Sequence, residues 1–165
     1  MPIVVPTPNT TITSAWGKSV ADAINAAVPR ELAYAQVTAS KTVTAGAEVS
    51  ADPVVLAPSV TFDGSTVVLI EFFTPAVAPA IAANANVMLF LYQDGASIGR
   101  MAAVVNPAAA NMYAPVYAVR RMTPTAGAHQ YTFAAIVAGG NGTVVAGPGG
   151  VGQYMPAFIR ISKAS

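Results

Sequence analysis

Between Met122 and Arg160 the chain carries no aspartate, glutamate, lysine or arginine. Apart from His129, nothing in that stretch ionises near neutral pH. Apolar and small or polar residues alternate through it. Turn signals interrupt it at Asn141 and Gly142 and again across the glycine-rich residues 147–152. A helix would need an apolar residue every three or four positions, whereas a period of two is the mark of a strand that buries one face. A segment this poor in charge, this rich in alternation and this often broken by glycine is constrained to short antiparallel strands.

The period of two begins at Leu32. It predicts strands near 32–38, 53–56, 59–62, 66–74, 86–93, 97–105, 115–122, 129–138, 142–146 and 156–162. The pairs Asp63 and Gly64, Asp94 and Gly95, and Asn141 and Gly142 are expected to form tight hairpin turns, because Asx-Gly tolerates positive φ at both central positions. Residues 75–85 and 106–112 read as loops, the first because Pro75 and Pro79 break it. Short strands with no helices between them indicate an all-β fold, an antiparallel β-sandwich or jelly roll.

Some strands are one-faced. Tyr131, Phe133, Ala135 and Val137 share a face opposite Gln130 and Thr132, and Ala157, Ile159 and Ile161 oppose Phe158 and Arg160. Others are apolar on both faces. Val67, Leu69 and Phe73 alternate with Val68, Ile70 and Phe72, and Val87, Leu89 and Leu91 alternate with Met88, Phe90 and Tyr92. A sandwich covers one face of each sheet, so the second face needs another cover. A neighbouring subunit supplies one; the N-terminal helix or the alanine-rich loops are the alternative.

Residues 1–11, with Pro2, Pro6 and Pro8, read as an extended arm. Residues 13–28 carry the one convincing helix. Thr13 or Ser14 caps it, Trp16, Val20, Ile24 and Val28 recur every fourth residue, and Pro29 ends it. The expected division is therefore an arm and helix over 1–30 and a β domain over 31–165. In the helix, Trp16, Val20, Ala23, Ile24 and Ala27 form the candidate partner-binding face, with one indole anchor and a small-residue flank.

Hydrophobic residues make up 54% of the 165 and charged residues 9%, where about a quarter is usual. So little charge favours burial against partner subunits. The net charge is +1, and no basic run exists beyond Arg120 and Arg121, so no nucleic-acid partner is expected. There are no cysteines, which excludes disulfides and thiolate metal sites. The N-terminus lacks the basic region of a secretory signal, so the sequons at Asn9 and Asn141 read as chance. No membrane span is expected, because Pro75, Pro79, Asn84 and Asn86 break the one long charge-free run.

Chemistry-bearing residues are few. A lone His129 builds neither a triad nor a multi-histidine metal site. Asp63 and Asp94 belong to turns, Asp22 to the polar side of the helix, and Glu48 and Asp52 to a loop. The segment at 147–152 lacks the Lys-Ser/Thr ending of a phosphate loop. No catalytic residue, cofactor or metal is expected, and the chain is read as a non-enzyme. Glu71 stands apart, because it lies inside the most apolar strand and a buried carboxylate needs a partner. Arg100, Arg120, Arg121 and Arg160 are the candidates, Arg100 and Arg160 foremost.

The strand–turn–strand VMLFLYQDGASIGR at 87–100, followed by the stretch 123–163, resembles the jelly-roll domain of virion appendage proteins of tailed bacteriophages. In that resemblance Gly127 opens the strand bearing Tyr131 and Phe133, Gly142, Thr143 and Val144 start the next, and Pro156 begins the last. The block TITSAWGKSVADAI at 11–24 is similar to the openings of phage tail and head-fibre proteins. The resemblance implies a tumour necrosis factor-like jelly roll assembled as a homotrimer in the virion. It also implies a passive role, as capsid decoration or head-fibre-type appendage bound to capsid or tail proteins. The chain lacks the long repetitive shaft of many fibres, which favours a compact trimer held by its N-terminal residues. The alternatives are a minor tail or baseplate protein, or a receptor-binding knob contacting a host surface glycan through Tyr113, Tyr117 or Tyr154.

Overall fold

A computed structural model describes residues 17–20 and 31–164. Residues 17–20 are helical; the arm and the rest of the expected helix lie outside the described residues. Glu31–Ala164 form one compact unit. It begins with β1 (Glu31–Val37), β2 (Lys41–Val43), β3 (Asp52–Leu56) and β4 (Val60–Asp63). The middle of the chain forms β5 (Val68–Ala78), β6 (Asn86–Gln93), β7 (Ala96–Val105) and β8 (Ala114–Met122). The last four are β9 (Ala126–His129), β10 (Tyr131–Ala138), β11 (Gly142–Val145) and β12 (Ala157–Lys163).

The strands pair as one long antiparallel hairpin folded over on itself. β1 lies against β12, β2 against β11 and β3 against β10. Inside these, β4 lies against β9, β5 against β8 and β6 against β7. This nesting of first with last is a jelly roll. Three further pairings, β10 with β6 and both β11 and β12 with β5, gather the strands into sheets. The large sheet runs β1-β12-β5-β11-β2, with β8 on the other edge of β5, and the small sheet runs β3-β10-β6-β7.

Register decides which residues meet between the sheets. In the large sheet Ala35, Ile159, Phe72 and Ala118 form one inward row. In the small sheet Val55, Phe133, Leu91 and Gly99 form another. The rings of Phe72 and Phe133 stack across the interior with centroids 4.4 Å apart. The alternation expected of Tyr131, Phe133, Ala135 and Val137, and of Ala157, Ile159 and Ile161, is buried between the sheets.

Several boundaries differ from expectation for local reasons. β5 runs through Pro75 to Ala78, where a loop was expected. The register of β5 against β8 shifts between Thr74 and Val77, and such an irregularity is where a residue without an N–H fits. The buried Thr74 hydroxyl donates to the Val145 carbonyl at 2.7 Å and ties this bend to β11. β2, only three residues long, carries no detectable period. The strand expected over 129–138 is two strands. At Gln130 the backbone leaves β4 for β6, its N–H donating to Asp94 Oδ1 and its carbonyl accepting from the Asp94 N–H.

Of the three expected hairpin turns, only Asp94 and Gly95 form one, with φ of 52° and 82° between β6 and β7. Asp63 and Gly64 instead mark a crossing between sheets, where the Asp63 carboxylate accepts the N–H groups of Ser65 and Thr66. Gly142 opens β11 directly after Asn141, and the reversal before them is made by Gly139 and Gly140, with φ of 81° and 117°. Gly142 is needed for space rather than for φ, since a Cβ there would run into the Val87 side chain.

Candidate interface on the outer face of the large sheet

The two sheets differ in how far the aromatic residues of their outward faces are buried. On the small sheet, Phe90 and Ile136 point away from the core by register yet are buried in the single chain. Tyr92 reaches over to donate to the Glu48 carbonyl, and the Arg100 guanidinium lies 3.5 Å from the Met88 sulfur. The expectation that residues 87–92 need a neighbouring subunit is thus corrected for Phe90. Phe90 is 6% exposed without any second subunit.

The large sheet is different. Its outward rows are Gln36, Phe158, Phe73 and Tyr117, and then Tyr34, Arg160, Glu71 and Val119. Phe158 lies 5.6 Å from both Tyr34 and Phe73, centroid to centroid. Tyr117 is 60% exposed, Val119 43% and Tyr34 41%. Partly exposed aromatic side chains on four adjacent strands make an apolar platform of the kind that protein interfaces use.

Glu71 sits in the middle of this platform, only 5% exposed. Its cross-strand neighbour Arg160 forms a fork on it, Nε donating to Oε2 at 2.8 Å and Nη2 to Oε1 at 2.9 Å. The Tyr117 hydroxyl donates to Oε1 as well. A bidentate guanidinium plus a phenol satisfies a carboxylate that the apolar strand has removed from water. Arg160 holds the Glu71 carboxyl below its ordinary range, against the opposing pull of burial and with help from Tyr117. The carboxylate in turn pushes the Tyr117 phenol up.

Arg100, expected among the partners, is not one. It lies on β7 in the small sheet, on the far side of the core. Arg120 pairs with Ile70 on the inward side of β8 and donates to the Ile98 carbonyl, spanning from one sheet to the other. The φ of 141° at Gly99 and its missing side chain leave room for that guanidinium, 3.2 Å from where a Cβ would stand.

His129 is satisfied at the opposite end of the chemistry. Its Nδ1 lies 2.6 Å from Asp94 Oδ2 and its Nε2 2.9 Å from Thr125 Oγ1, and its ring stacks on Phe62. Asp94 therefore does more than form a turn, since it also binds β9 to the β6–β7 hairpin. Among the described residues, no group of three or more His, Cys, Asp or Glu is arranged to hold a metal ion, and no helix is long and apolar enough to cross a membrane. Of the helix face, Val20 is partly exposed; Trp16, Ala23, Ile24 and Ala27 lie outside the described residues.

Acid sensitivity follows from these carboxylates. Glu71 is held down chiefly by Arg160, Asp94 chiefly by the Gln130 N–H, and Asp52 chiefly by the Thr44 N–H. Each folded pKa lies below its unfolded value of about 4. Their contribution is complete above that value and is lost as pH falls through the folded pKa. The urea midpoint is expected to drop as pH is lowered below about 4, and Glu71→Gln to drop less steeply. Parallel curves for the two proteins would show that Glu71 is not held ionised.

No protein-family model and no curated protein sequence matches this chain.

Proposed function

We propose that this chain is a structural, non-catalytic protein of a bacteriophage virion, a homotrimeric jelly roll bound to the capsid surface as a decoration or head-fibre-type appendage. The observation that carries the reading is the contrast between the sheets, one burying its outward Phe90 and Ile136 within the chain and the other presenting Tyr34, Phe158, Phe73 and Tyr117 around a satisfied ion pair. Cyclic association buries the same patch in every copy and leaves no open end. The phage assignment rests on the resemblance of residues 11–24, 87–100 and 123–163, and residues 1–30 are the proposed attachment segment. A tail or baseplate protein that touches the host is the second reading, favoured by the exposure of Tyr113 and Tyr154 on loops.

Quantitative mass spectrometry of purified particles of the encoding phage tests this. A decoration protein is expected in copies far outnumbering the tail proteins. Copies matching the tail proteins favour the second reading, and absence from particles overturns both.

A further inference from the structure

We propose that the groove formed by the β5–β6, β7–β8 and β10–β11 connections is a binding site for a neutral saccharide. The groove has a volume of about 420 Å³ and is lined by Ile81, Asn111, Met112, Tyr113, Asn141 and Thr143 together with the backbone around Ala78–Ala80. That volume lies within the roughly 300–1,000 Å³ of small-molecule sites.

The lining chemistry selects the ligand. No acidic or basic side chain lines the groove, so nothing there would hold a phosphate, a carboxylate or an ammonium group. Tyr113 presents a ring that is 60% exposed, and Ile81 is 63% exposed beside it. Among the described residues, the side-chain amides of Asn111 and Asn141 and the hydroxyls of Tyr113 and Thr143 have no hydrogen-bond partner. A pyranose offers an apolar C–H face for an aromatic ring and a rim of hydroxyls. Each hydroxyl both donates and accepts, as the two ends of an amide do.

The walls are also fixed in advance. Asn106 is 1% exposed and clamps two of the three connections. Its Nδ2 donates to the Ala80 carbonyl at 2.9 Å and to the Ala110 carbonyl at 2.8 Å, and its Oδ1 accepts the Ala108 N–H. Its backbone N–H donates to the Ala85 carbonyl, and its own carbonyl accepts the Asn84 N–H. The third connection is seated on the first, for a Cβ on Gly140 would stand 2.9 Å from the Ala80 methyl. Loops locked this way need little ordering when a ligand arrives. The groove belongs to a single chain, so binding is independent of self-association and of the virion assignment.

The test is an amide chemical-shift titration of the full chain with glucose, galactose, mannose and N-acetylglucosamine, and with glucuronate as the charged counterpart. Saturable shifts are expected with at least one neutral sugar, confined to residues 78–81, 111–113 and 141–143. Tyr113→Ala, an exposed position that leaves the rest of the spectrum in place, is expected to weaken binding about tenfold. Tyr154→Ala, an exposed tyrosine outside the groove, leaves it unchanged. The proposal is overturned by the absence of saturable shifts with all four neutral sugars, by equal binding of glucuronate, or by binding indifferent to Tyr113→Ala.

Discussion

Phe133→Ala is expected to lower the unfolding free energy by about 3–5 kcal/mol. Phe133 is completely buried, and its ring stacks on Phe72 from the opposing sheet. Truncation removes apolar area and also leaves a void between two sheets whose separation is set by the rows on either side, so collapse is incomplete. Against a total stability of about 5–15 kcal/mol for a domain, this is a large fraction. Urea denaturation at fixed protein concentration measures it as a shift in midpoint with little change in slope. A loss below about 1 kcal/mol would mean that the sheets do not close on this pair.

Phe158→Lys is expected to weaken self-association by at least about a hundredfold while leaving the fold of the single chain intact. Phe158 is half-buried on the outward face, between Tyr34 and Phe73. In the free chain a lysine there extends into water. Under a covering subunit it is a charge without a partner, which interfaces exclude. Leu56→Lys is the control. Leu56 is exposed and stands on the outward row of the small sheet, and its substitution should leave association unchanged. Equal effects of the two substitutions would place the interface elsewhere.

The strands with strict alternation were legible because burial on one face leaves its imprint in every second residue. Tyr131, Phe133, Ala135 and Val137 are the clearest case. Glu71 was legible as an anomaly, one charge in a strand apolar on both faces, but its partner was not. Arg160 lies 89 residues away in sequence, and only the return of β12 beside β5 brings them together. The second apolar faces were legible as a need for cover, whereas the nature of the cover was not. The Tyr92 hydroxyl is met by a segment with no periodic signal, and Tyr117 is left 60% exposed. Asn106 left no sign at all, since an asparagine before a proline reads as an ordinary turn residue. Its role depends on Ala80 and Ala110 converging on one amide.

The mass of the wild-type protein in solution at micromolar concentration, by multi-angle light scattering, tests the central claim most directly. Self-association through the large sheet predicts a single species of three times the 16.7 kDa chain. A stable 16.7 kDa monomer across that range would contradict it.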